Sequence, residues 1–102
     1  MNIEEFRDEL EVRLSIEKQY LTQEATSIDE SERLELLGQF NEKYKELIKR
    51  LANESGIDLN ASYPSENLSE SEDLSYEQII LGKTMNVYDR LSDELYEEIT
   101  NL

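Results

Sequence analysis

The chain contains no cysteine, no histidine and no tryptophan, and has one proline and three glycines. Without cysteine there are no disulfides, thiolate metal sites or cysteine nucleophiles, and the redox compartment cannot be read. The lack of histidine removes the usual general base near neutral pH and the commonest metal ligand. Few glycines and prolines mean few tight turns, which favours long helices. The longest apolar run is Ile79-Ile80-Leu81, far too short to cross a bilayer. The opening residues Met1-Asn2-Ile3-Glu4-Glu5 lack the basic-then-apolar layout of a signal peptide, so a cytoplasmic location is expected. Basic charge is also scarce: 10 Lys and Arg stand against 25 Asp and Glu, a formal net charge of −15 over 102 residues.

Enough remains for one small core. Leu, Ile, Val and Phe make up about a quarter of the chain, above the roughly 20% below which high net charge usually means disorder. A chain of this length is one domain rather than two. Hydrophobic periodicity then predicts an all-α fold, a small three-helix bundle with a long acidic loop between its second and third helices.

The first helix is expected over about residues 2–23. Ile3, Phe6, Leu10, Leu14 and Leu21 fall on one face, and Val12, Ile16 and Tyr20 form a second row at four-residue spacing. The two rows together cover about 200°, more than one neighbouring helix can bury, which predicts contact with two partners. The second helix is expected over about 28–55, with Ser27 or Asp29 as N-cap and Ser27 to Glu30 fitting a capping box. Its seam is Leu37, Phe40, Tyr44, Leu47 and Leu51, widened by Leu34 and Ile48. Lys45, Lys49 and Arg50 suit the negative end of its dipole, and Gly56 is a natural stop. Residues 57–74 read as an 18-residue loop, longer than compact domains usually carry and the expected least ordered part, with Leu59, Tyr63, Leu68 and Leu74 able to pin it. Ser75 caps a third helix over about 76–100. Its buried stripe is Ile80, Thr84, Val87, Leu91, Leu95 and Leu102, with Tyr88 and Ile99 at the margin. Tyr20, Tyr44 and Tyr88 are expected to complete the core.

Several sites fail on chemistry. Asp58, Asn60 and Ser62 match the start of a calcium loop, but Tyr63 stands where the turn needs Gly and Ser69 where a bidentate Glu is needed. Asn53-Glu54-Ser55, Asn60-Ala61-Ser62 and Asn67-Leu68-Ser69 match the glycosylation acceptor, best read as chance matches in an Asn- and Ser-rich stretch. A di-iron bundle needs Glu-x-x-His motifs that this chain cannot supply. Glu17, between Leu14 and Leu21, is the one acid within an apolar stripe and reads as a snorkelling or paired side chain. The basic residues Lys43, Lys45, Lys49 and Arg50 are interleaved with Glu42 and Glu46, and a chain this acidic repels phosphate, so direct nucleic-acid binding is not expected. No enzyme activity, cofactor or metal is expected.

The acid is unevenly placed. Residues 1–50 carry a net charge of −5 and residues 51–102 a net −10. Glu4, Glu5, Asp8 and Glu9 open the first helix, where its dipole favours them. Asp93, Glu94, Glu97 and Glu98 instead crowd the end of the third helix, against its dipole. Asp89–Asp93, Asp93–Glu97 and Glu94–Glu98 are like-charge neighbours costing roughly 0.2–0.5 kcal/mol each. Only Arg90 offers relief within that helix. Glu66, Glu70, Glu72 and Asp73 add four acids on the preceding loop, and Tyr96 lies on the helix's outer face beside Asp89 and Asp93. Residues that oppose local stability mark where function is expected.

These ten residues, Asp89, Asp93, Glu94, Tyr96, Glu97, Glu98, Glu66, Glu70, Glu72 and Asp73, form the expected partner-binding surface. Carboxylates one turn apart approximate the repeat of phosphates along a nucleic-acid strand. The expected partner is a protein with a basic surface, such as a nuclease or nucleic-acid-binding protein, approached by long-range attraction. In size and charge, though in no motif, the chain resembles small inhibitors made by phages and mobile elements, including anti-restriction and anti-CRISPR proteins. That resemblance implies inhibition by nucleic-acid mimicry. The alternatives are a helical adaptor or assembly protein that forms homodimers or hetero-oligomers through apolar helix faces, and a toxin-neutralising immunity-type protein. A plain solubilising surface explains the acid without any partner.

Overall fold

A computed structural model describes residues 1–64 and 74–102. Among them are three α-helices, α1 (Ile3–Ala25), α2 (Glu35–Glu54) and α3 (Tyr76–Thr100), with a 3₁₀ turn at Glu30–Glu32. The all-α, three-helix expectation holds. The single extended feature among these residues is an isolated bridge between Ser62 and Ser75.

Local chemistry explains two of the three starts. Asn2 caps α1 and Ser75 caps α3, each in a capping box closed by Glu5 and Gln78 respectively. The start of α2 departs from expectation. Asp29 is extended, but neither it nor Leu34 makes a side-chain capping bond, and no Ser27–Glu30 box forms. The chain enters α2 through i→i+3 bonds instead, among them Glu32 N–H to the Asp29 carbonyl at 2.9 Å. A 3₁₀ turn advances three residues per turn rather than 3.6. Extrapolating the α2 seam backwards therefore misplaces Leu34, which is exposed, while Leu36 is buried and Leu37 half-buried.

The core is built from Phe6, Leu10, Leu14 and Leu21 of α1, Leu36, Phe40, Leu47 and Leu51 of α2, and Ile80, Leu91, Leu95 and Ile99 of α3. Ile99 belongs to its centre rather than its margin, and Leu102, beyond the helix end, is exposed. Thr84 is the one buried polar residue among those described. Its hydroxyl donates to the Ile80 carbonyl at 2.7 Å and lies 2.7 Å from the Tyr44 hydroxyl. Tyr88 stacks between Tyr44 and Phe40, with ring centroids 4.4 and 5.5 Å away. Burial pushes the Tyr44 phenol up, partly countered by its bond to Thr84.

Gly56 takes φ +70° after α2, where a side chain would be strained, and Ile57 N–H reaches back to the Ala52 carbonyl at 2.8 Å. The expected loop is tied at both feet. Tyr63 N–H donates to Leu74, Tyr76 N–H to Ala61 and Glu77 N–H to Leu59, at 2.7, 2.9 and 3.1 Å. Ile57 and Leu59 pack on the core, and Tyr63 meets Tyr76 edge to face at 5.1 Å. Over residues 57–64 the expected loop holds a turn, closed by Ala61 N–H to the Asp58 carbonyl at 3.0 Å, and the Ser62–Ser75 bridge. Leu68 and Ser69 lie outside the described residues.

α1 is the central helix. It runs antiparallel to α2, with Arg13 bonded to Glu54, and alongside α3 in the same direction, with Glu11 bonded to Arg90 and Lys18 to Glu94. It therefore does touch two neighbours, as its wide apolar arc predicted. Yet Val12, Ile16 and Tyr20 are 54%, 63% and 61% exposed, so the second row serves neither contact and Tyr20 is not in the core.

Candidate functional site

The acidic end of α3 separates into two groups according to the side of the helix each residue occupies. Glu94 and Glu98 face α1. Lys18, whose side chain is only 13% exposed, donates to Glu94 Oε1 at 2.9 Å and to Glu98 Oε1 at 3.1 Å. Thr22 Oγ1 adds a 2.8 Å bond to Glu98 Oε2. Arg90 bridges Glu11 at 2.6 Å and Glu94 at 3.4 Å. These two acids are thus internal links between α1 and α3. Within α3 the relief comes from Arg90, as expected; the main cation, Lys18, comes from another helix.

The protonation energetics agree with the geometry. Burial by itself would lower the Lys18 ammonium, but its bonds to Glu94 and Glu98 outweigh that and hold it above the usual lysine value. The bond from Lys18 holds the Glu94 carboxyl below the usual carboxylate range.

Asp89, Asp93 and Glu97 belong to the other group. They are exposed and spaced one turn apart, and no cation lies within 4 Å of them among the described residues. Tyr96, 51% exposed, shares this outer face as expected. So does Met85, also 51% exposed, which the sequence reading passed over although it stands four residues before Asp89. From Met85 to Glu97 the face is about 18 Å long. No basic residue occupies the last turn of α3. Its final carbonyls are met by neutral donors: Thr100 Oγ1 to Tyr96 at 2.7 Å and Asn101 Nδ2 to Glu97 at 2.8 Å. The negative end of the dipole therefore adds to the field of Glu97, the one of the three that stands in the last turn.

Glu66, Glu70, Glu72 and Asp73 lie outside the described residues. Glu17 is half-buried on the rim of a shallow groove between α1 and α2, beside Arg13 and Lys43. The α2 bases are largely matched by neighbouring acids: Arg50 with Glu46, Lys43 with Glu46 at 3.7 Å and Lys45 with Glu42 at 3.8 Å. Among the described residues no cluster of three or more potential metal ligands occurs, and no helix is long and apolar enough to cross a membrane.

Comparisons of the chain with family models, with curated proteins and with solved structures find no match.

Proposed function

We propose that the protein is a binding protein rather than an enzyme, and that the outer face of α3 engages the cationic, nucleic-acid-binding surface of a partner protein and blocks it. One observation carries this reading. Asp89, Asp93 and Glu97 project one turn apart without a cation, beside Tyr96 and Met85, while the adjacent Glu94 and Glu98 are neutralised from within. Unmatched like charges against a helix dipole are unfavourable in the free protein, and cations on a partner would relieve them. An exposed Tyr supplies a large anchor with little rotamer entropy to lose, of the kind interfaces favour. The resemblance in size and charge to phage and mobile-element inhibitors, anti-CRISPR and anti-restriction proteins included, fits a cytoplasmic inhibitor acting by mimicry. Glu94 and Glu98 would then hold the scaffold rather than touch the partner.

The test begins with affinity capture from a bacterial lysate and mass spectrometry of what is retained. Binding of the retained partner to Asp89→Asn/Asp93→Asn/Glu97→Gln is then compared with binding to the parent chain. The triple variant should lose binding while staying folded, added salt should weaken the parent complex steeply, and nucleic acid should compete. A triple variant that binds as well as the parent would reduce the acidic row to a solubilising surface.

A further inference from the structure

We infer that the cavity between the start of α1 and Lys83 of α3 is a binding site for a small zwitterion, a free apolar α-amino acid held by both its carboxylate and its ammonium. The cavity has a volume of about 330 Å³ and is lined by Asn2, Ile3, Glu4, Arg7, Tyr63 and Lys83. It shares no residue with the outer face of α3 and does not depend on that face having a partner.

The register of α1 against α3 explains the charge of its walls. Arg90 bonds Glu11 across 79 residues. One heptad further along α1, Lys18 meets Glu94 and Glu98. One heptad before Glu11, the same 79-residue offset sets Glu4 against Lys83. The two later rungs close as ion pairs. At this one no ion pair joins Glu4 to Lys83 or to Arg7, and all three residues line the cavity instead. Most of the scarce bases of this chain are matched: Arg13, Lys18, Lys43, Lys45, Arg50 and Arg90 each contact an acid beyond their sequence neighbours. Among the described residues Lys83 has no such contact. Arg7 has only Asp8 at 3.8 Å, an adjacent residue that does not share its side of the helix.

Two cations and one carboxylate around one small space select the occupant. A simple anion would meet Glu4 and the field of a chain at −15, and a simple cation would meet Arg7 and Lys83. A zwitterion carries no net charge to be repelled. Its carboxylate accepts from the Arg7 guanidinium, whose paired N–H groups match two oxygens, and from the Lys83 ammonium. Its ammonium donates to Glu4. In a free amino acid the two groups flank a single carbon, whereas in a peptide they stand at opposite ends. The half-buried Ile3 and the Tyr63 ring, itself packed on Tyr76 at 5.1 Å, supply an apolar wall for the side chain. The volume sits at the low end of the roughly 300–1,000 Å³ of small-molecule sites, which suits one amino acid and nothing much larger. Glu4, Arg7 and Lys83 are exposed, so their contacts are screened by solvent and binding is weak.

Amide NMR of the full chain, titrated with leucine, with N-acetylleucine, which lacks the ammonium, and with leucinamide, which lacks the carboxylate, tests the inference. Leucine should shift the resonances of Asn2 to Arg7, Tyr63 and Lys83 and saturate, and the two blocked forms should bind several-fold more weakly. Glu4→Gln should abolish the preference for leucine over N-acetylleucine. Arg7→Gln/Lys83→Gln should weaken leucine at least about 10-fold and abolish its preference over leucinamide. These positions are exposed, so the helical content should not change. Lys49→Gln, on α2, should bind leucine as the parent does. No saturable shift with leucine, equal binding of N-acetylleucine, or preferences that survive these substitutions would each overturn the inference. Any of these results leaves the α3 reading intact.

Discussion

Acids of one type, within ten residues of each other on α3, should respond to neutralisation with opposite signs. Glu94→Gln/Glu98→Gln removes both counter-charges of Lys18 and leaves its ammonium facing neutral amides. A loss of about 1 kcal/mol is expected, the upper range for partly exposed pairs. Asp89→Asn/Asp93→Asn/Glu97→Gln removes like-charge neighbours, one of them (Glu97) at the negative end of the dipole, and should gain a few tenths of a kcal/mol. Urea midpoints of the two variants should move in opposite directions around the parent. The pH dependence follows from the same geometry. Because Glu94 titrates below its unfolded value of about 4.3, its contribution is present above that pH and is lost as the pH falls through the lower folded value. Lys18 titrates above its unfolded value of about 10.4, so its contribution is full below that pH and is lost as the pH rises past the higher folded value. The stability gap between parent and Glu94→Gln/Glu98→Gln should therefore persist from about pH 5 to pH 10 and close outside that window.

Helices α2 and α3 meet in part through stacked aromatic rings and one buried hydroxyl pair, Tyr44 and Thr84. Thr84→Val keeps the shape but leaves the Tyr44 hydroxyl without its 2.7 Å partner. A buried unsatisfied hydroxyl costs about 1–3 kcal/mol. Tyr44→Phe/Thr84→Val removes both polar groups and should be less destabilising than the sum of the single changes, a coupling that a double-mutant cycle in urea would read. Additive effects would mean that the two hydroxyls do not act as a pair. The neighbouring stack of Phe40, Tyr88 and Tyr44 is further fixed by Asn41 Nδ2, which donates to the Tyr88 hydroxyl at 3.0 Å. Periodicity placed Tyr44 and Tyr88 on apolar stripes, but not that their rings stack. Stacking depends on the α2–α3 crossing, which neither helix specifies alone.

At the scale of the molecule, a net charge of −15 opposes compactness while ten cations offset it locally. Cross-helix bridges join α1 to α2 through Arg13–Glu54 and to α3 through Lys18 and Arg90, so the central helix holds both neighbours electrostatically. The bond to Arg13 lowers the Glu54 carboxyl, and the bonds to Glu54 and Glu9 raise the Arg13 guanidinium further. Screening weakens these bridges and the general repulsion together. With 25 acids against 10 bases the repulsion dominates. The melting temperature should therefore rise as salt goes from about 0.01 M to 0.1 M and the Debye length falls from about 30 Å to 10 Å. For a domain of this size a gain of about 1 kcal/mol corresponds to about 4–8 °C. A melting temperature that fell with salt would show that the bridges outweigh the repulsion.

What is local in space is legible along the chain: three helices, the Ser75 cap, the Gly56 stop and an excess of acid in its second half. Helical periodicity, capping and turn chemistry act over a few residues and so can be read without knowing the neighbours. Which acids of α3 are spent internally depends on how the helices pack, because Lys18 lies 76 and 80 residues from its partners Glu94 and Glu98. Packing also settles which of the two apolar rows on α1 becomes core. Both rows have helical spacing and similar hydrophobicity. A helix turns toward its neighbours only the arc they can cover, and here that arc holds Phe6, Leu10, Leu14 and Leu21 and leaves Val12, Ile16 and Tyr20 outside.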